Sequence, residues 1–138
     1  MMNILKELAI FANSFFINKM DISGFWHFFE EFGAGFDQGY ALLHQEGDRV
    51  TGSLVYTEYI ELESPFVIKV EVAGEIMEDR LLLKGQSYEI IESNGEIHYC
   101  LDDRMVILDD PMWLEGHSVD DQDLEGRFIL RRIFVEEN

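Results

Sequence analysis

The chain reads as mainly β: an up-and-down antiparallel meander of about eight strands, closed into a small barrel or a strongly curled sheet, and preceded by one or two N-terminal helices. Three observations predict this. Short runs alternating apolar and polar side chains follow one another from Gln38 to Val135. Turn-forming clusters, Glu46-Gly47-Asp48 and Ser93-Asn94-Gly95 among them, separate the runs where helical patterns would otherwise stand. The length of 138 residues, 47% of them hydrophobic, suits one domain whose core needs no metal or disulfide, and the single cysteine, Cys100, forbids an internal disulfide. The domain is expected to divide into an N-terminal helical segment, residues 1–33, and a barrel, residues 38–135.

From residue 3 to about 19, Ile4, Leu5, Leu8, Ala9, Ala12, Phe15 and Phe16 fall on one arc at helical spacing, with Asn3 placed to cap the start. This helix is expected to pack over an open barrel end. A second reading has it also meet another copy of the chain, as a homodimer contact. Phe25, Phe28, Phe29 and Phe32 then stand at i, i+3, i+4 and i+7, with Ser23 before and Gly33 after, which predicts a short second helix.

Strands are expected over Gln38 to Gln45 and over Arg49 to Leu62, where Val50, Leu54, Tyr56 and Ile60 share a face. Ser64-Pro65 breaks the second run. Phe66 to Val72 alternates cleanly. Leu81 to Leu83 and Tyr88 to Ile91 read as two strands around Lys84-Gly85-Gln86. Ile97 to Leu101, Met105 to Leu108 and Arg127 to Val135 complete the set, with Asp109 to Gly126 left as a long acidic excursion.

The charge narrows the partners. Twenty-eight Asp and Glu against ten Lys and Arg give −18, a surface that repels nucleic-acid phosphates and anionic lipid. Nine acidic residues and one basic residue lie between Asp102 and Glu125. The N-terminal apolar run is interrupted by Lys6, Glu7, Asn13 and Ser14, so no secretion signal or membrane span is read there and a cytoplasmic location is expected.

Gly24-Phe25-Trp26, followed by the turn and strand Gly47-Asp48-Arg49-Val50-Thr51-Gly52-Ser53, resembles the calycin group of small barrels, the lipocalin-like and avidin-like proteins. The resemblance spans residues 22–135. It implies an up-and-down barrel, a Trp26 at the barrel base with Arg131 or Arg132 packed over it, and a ligand-binding interior. The chain departs from the pattern in having no cysteine pair and no pattern for a helix after the last strand.

Strict alternation puts Glu58 on the apolar face with Leu54, Tyr56 and Ile60, where an ionised carboxylate is costly unless paired. Arg132 stands in a matching position on the last strand and is a candidate partner across the interior; the alternative is a β-bulge that turns Glu58 outward or an Arg132 that snorkels to the rim. His98, Cys100 and Asp102 share a face, but strand rise puts the outer two about 13 Å apart, too far for one metal ion. Asp121-x-Asp123-x-Glu125-Gly126 opens like a calcium loop, yet Arg132 occupies the place of its bidentate acid. No nucleophile elbow is present. The chain is therefore read as a non-enzymatic barrel without cofactor or metal. It is expected to bind a small, largely apolar ligand through Tyr56, Glu58, Tyr88 and Arg132 above Trp26. The alternative is an acidic inhibitor, immunity or adaptor protein that presents Trp113, Asp109, Asp110, Asp120, Asp121 and Asp123 to a basic partner protein.

Overall fold

The computed structural model describes residues 20–134. Eight antiparallel strands close into one barrel in chain order: β1 (Gly24–Phe32), β2 (Gly35–Glu46), β3 (Arg49–Ile60), β4 (Phe66–Met77), β5 (Arg80–Glu92), β6 (Asp102–Ile107), β7 (Trp113–Asp120) and β8 (Glu125–Arg132). β1 closes the ring by pairing with β8 from Trp26↔Arg132 to Phe32↔Gly126. Closure removes both free edges, so every strand finds partners on two sides.

The expected helix over Phe25 to Phe32 is corrected: that segment is β1, and no helix occurs among the described residues. The helical pattern arose because both faces of β1 carry aromatics. Trp26, Phe28 and Glu30 point inward, while Phe25 and Phe29 stand exposed on the outer wall. Two apolar faces erase the alternation that marks a half-buried strand. The barrel thus begins at Gly24 instead of Gln38. The expected helix over residues 3–19, and its dimer contact, lie outside the described residues.

The remaining differences have local causes. Leu81 to Ile91 belongs to one strand, β5, because register shifts opposite β4 take up Gln86 and Ile91 as extra residues. Residues 97–101 form no strand; Ile97, Tyr99 and Leu101 still turn toward the core, as their alternation suggests. The acidic excursion contains β7, whose inward residues are Leu114, Gly116 and Ser118.

One end of the barrel, the base, is sealed. Ile22, Trp26, Leu43, Leu81, Val106, Leu108, Leu114 and Leu130 are all buried there or in the middle of the core. Trp26 donates its indole N–H to the Ile22 carbonyl at 2.9 Å. It is Arg132 that lies over the Trp26 ring, 4.4 Å from its centroid. The same guanidinium donates to the carbonyls of Ser23, Asp21 and Pro111 at 2.9, 2.7 and 2.9 Å. One side chain therefore ties β1, the segment before it and the β6–β7 turn together. Gly24 leaves space for it: its φ is +133°, and an added Cβ would sit 3.4 Å from Arg132 Nη1. Arg132→Ala is expected to cost roughly 2–4 kcal/mol from lost charge-assisted hydrogen bonds and the cation–π contact. Arg132→Lys should recover less than half of that, since a compact ammonium lacks the wide planar fork that spans these separated carbonyls and lies over the Trp26 ring. Urea unfolding of the two variants measures both; an Arg132→Lys chain as stable as the wild type would contradict it.

Candidate functional site

The other end of the barrel, the mouth, is where the interior turns polar. Strict alternation along three neighbouring strands brings three carboxyl side chains inward at directly opposed positions: Glu30 on β1 faces Asp37 on β2, and Asp37 faces Glu58 on β3. Opposed residues have Cβ atoms about 5 Å apart, and like charges so placed repel. Glu30 and Asp37 are nevertheless buried, at 2% and 1% exposure.

Arg104, on β6 across the interior, is the compensating charge. Its Nε donates to Glu30 Oε2 at 2.9 Å and its Nη2 to Glu30 Oε1 at 3.1 Å, a two-pronged pair, and Nη2 also reaches Asp102 Oδ2 at 3.0 Å. The guanidinium carbon sits 5.2 Å from the Phe28 ring centroid. Burial alone would lower the Arg104 pKa, but the Glu30 carboxylate and its hydrogen bonds raise it well above the ordinary value. Gly126 helps make the contact: a Cβ there would come within 2.6 Å of Ser118 Oγ and 3.5 Å of Glu30 Cγ. Arg104 Nη1 has no acceptor among the described residues.

Asp37 and Glu58 have no such partner among the described residues, and burial, first of all, pushes both carboxyls above the ordinary carboxylate range. For Asp37 the Glu58 and Glu30 charges add to the rise. Two opposed acids in this setting share a proton. Asp37 Oδ1 still lacks a hydrogen-bond partner among the described residues. Beside them the Tyr56 and Tyr99 hydroxyls are hydrogen-bonded to each other, and Tyr99 donates to Asp102 Oδ2 at 3.1 Å. Burial raises Asp102 to about 6 in spite of Arg104.

Glu30, Asp37, Glu58, Tyr99, Asp102 and Ser118 are among the residues that line a cavity of about 220 Å³ at the mouth. That volume holds roughly seven waters at about 30 Å³ each. His98 and Cys100 also border it, from the irregular segment between β5 and β6. No group of three or more metal-ligating side chains is arranged around a common point among the described residues. A larger hollow, about 850 Å³, lies on the outer wall, beside exposed Glu31, Met105, His117 and Arg127 and half-buried Leu82.

The expected pocket is only partly assembled. Glu58 lines the mouth cavity. Tyr56 lies beneath it, fully buried, and meets it through Tyr99. Tyr88, half-exposed, touches the Tyr99 ring edge-on at 5.4 Å. Trp26 and Arg132 belong to the sealed base. The candidate Glu58–Arg132 pair does not form: Arg132 stands opposite Trp26, four residues along β1 from Glu30, and spends its donors on carbonyls. Among the described residues, the buried ion pair is Glu30–Arg104, which Asp102 joins from the cavity side.

The acidic residues of the alternative reading fall into two groups. Asp109, Asp110 and Trp113 stand at the base, while Asp120, Asp121 and Asp123 stand at the mouth, separated by β7, whose eight residues span about 24 Å. Some of these groups serve the turns themselves. Asp110 Oδ1 accepts the Met112 N–H, and Asp120 Oδ1 accepts those of Gln122 and Leu124, each at 2.9 Å. Trp113 donates its indole N–H to Glu115 at 2.7 Å. Sequence reasoning missed a different surface: Phe25, Phe29, Phe36, Tyr40, Leu42 and Tyr59 are exposed together on the outer wall of β1 to β3.

No family model matches this chain, and no curated protein matches it. Solved structures do. The chain is similar to a redesigned beta barrel, mFAP1, bound to DFHBI, at 11% identity and a TM-score of 0.57 over 87% of this chain and 99% of that one. It is also similar to the redesigned barrel mFAP0 bound to DFHBI, at 13% identity and 0.55 over 80% and 98%. A third redesigned barrel, b11L5F_LGL, aligns at 11% identity and 0.55 over 88% and 96%. At these identities the likeness shows a shared small closed barrel. No helix among the described residues is long and apolar enough to cross a membrane.

Proposed function

We propose that this chain is a non-enzymatic binding protein that takes one small ligand into the mouth of its barrel. The observation that supports this most is the mouth cavity, bordered by converging polar side chains, with the buried Asp37 Oδ1 left without a partner beside it. A buried acceptor without a partner costs about 1–3 kcal/mol, so a molecule that satisfies it is bound with that gain. Two similar barrels carry a small bound molecule, DFHBI, which suits this architecture to the role. The calycin resemblance points the same way.

The ligand is smaller and more polar than the sequence suggests. Trp26, Phe28, Leu54, Tyr56 and Ile68 occupy the apolar part of the interior, so an apolar ligand tail has its room only toward the rim. Non-enzymatic binding is the reading because the acids near the cavity are engaged with one another or with Arg104.

Native mass spectrometry of the chain incubated with a small-metabolite extract is expected to show one adduct per chain. Glu58→Phe, which fills the cavity, should abolish it while circular dichroism confirms an intact barrel. A wild-type chain without adduct, or an adduct retained by the folded variant, would overturn the proposal.

A further inference from the structure

Resting on that reading, we infer that the occupant of the mouth is a small organic cation, a primary ammonium on a short stem, held by the free carboxyl oxygens of Asp37 and Glu58. The argument is one of charge and valence. The cavity is bordered by Glu30, Asp37, Glu58 and Asp102. The described interior offers these four acids one nearby cation, Arg104, which is committed to Glu30 and Asp102. Asp37 and Glu58 keep unused acceptor capacity, and Asp37 Oδ1 is buried with no donor in reach among the described residues. An ammonium supplies three N–H donors and the missing charge at once.

Two rival occupants fit less well. An anion would suit the spare Nη1 of Arg104, but Arg104 does not border the cavity and an anion would stand against the carboxyl row. A metal ion needs several oxygens converging on one point at about 2–2.6 Å, and the row along β1, β2 and β3 is not so arranged. The proton that Asp37 and Glu58 share leaves when the ammonium arrives, so binding releases a proton to the buffer. The groups facing that pair are Glu30 on β1, Arg104 and Asp102 on β6, and the Tyr56 and Tyr99 hydroxyls.

The test is amide NMR of the whole chain, titrated separately with n-propylammonium, 1-butanol, butyrate and calcium ion. Propylammonium is expected to shift the amides of Asp37, Glu58 and Ser118 saturably, with butanol and butyrate at least about ten-fold weaker. Asp37→Asn should weaken the ammonium about ten-fold or more and remove the buffer-dependent heat of proton release in calorimetry. Butanol, butyrate or calcium binding at the mouth as tightly as propylammonium would overturn the cation and leave the ligand-binding reading standing. So would silence from all four probes while the native adduct persists. Silence together with no native adduct would overturn both.

Discussion

Replacing Arg104 by methionine is expected to cost about 3–5 kcal/mol of folding stability, the usual result of breaking a buried ion pair from one side. For a domain with a total of about 5–15 kcal/mol, that is a third or more. The methionine would fill most of the space of the aliphatic stem, so the loss would come from Glu30, left 2% exposed without either of its guanidinium hydrogen bonds. Asp37, Glu58 and Asp102 would also lose the cation that holds their pKa values down. Glu30→Gln alone should cost less, since Arg104 keeps its bond to Asp102. The double variant Glu30→Gln, Arg104→Met should be more stable than Arg104→Met alone, because the stranded charge is gone. Urea unfolding at pH 7 with unchanged m-values measures all three. A loss below about 1 kcal/mol for Arg104→Met would show that the Glu30–Arg104 pair does little to hold the fold together.

That pair was within reach of the sequence and was missed for a definable reason. Alternation located Glu58 correctly on the apolar face of β3, because β3 has one wet side and one dry side along most of its length. The same rule applied two residues earlier on β2 puts Asp37 in line with Gly39, Ala41 and Leu43, and applied from Asp102 on β6 it puts Arg104 in line with Val106. Both residues sit at strand starts beside Gly or Asp, where turn chemistry outweighs periodicity in a sequence reading. Glu30 was hidden more deeply. Its strand has aromatics on both faces, and only closure against β8 decides that Phe28 and Glu30 go in while Phe29 stays out. Pairing across the ring is a property of the closed sheet, so no local pattern could assign Glu58 away from Arg132 and Glu30 to Arg104. Glycines carry part of that geometry: Gly39 stands opposite Tyr56, and a Cβ there would collide with the Val55 carbonyl oxygen, so β2 can approach β3 this closely only where the side chain is absent.

Stability is expected to fall as pH rises from about 5 to 8, and Asp37→Asn is expected to flatten that fall. The sign follows from linkage. Asp37, Glu58 and Asp102 all have carboxyls raised above the ordinary range, with burial as the first cause in each. Above about pH 4 the unfolded chain releases these protons while the folded chain keeps them. A fold that binds more protons than the unfolded chain loses stability as pH increases, by up to about 1.4 kcal/mol per pH unit for each proton retained. Asp102, raised to about 6, contributes chiefly below that pH. The proton shared by Asp37 and Glu58, facing Glu30, Arg104 and Asp102, contributes through neutrality and beyond. The net charge of −18 adds its own repulsion as pH rises, but it acts almost equally on wild-type and variant chains, so the difference between their slopes isolates the shared proton. The asparagine of the variant keeps the shape of a protonated Asp37 but has no proton to lose, so the extra proton that the fold retains at this pair is gone. The variant should therefore exceed the wild type at pH 8 by roughly 1–3 kcal/mol and match it near pH 5. Unfolding curves in urea at each pH, fitted with a common m-value, give the slopes directly. Parallel slopes would mean that the folded barrel holds no extra proton at this pair, and Asp37 and Glu58 would then face each other as two charges that some other group must balance.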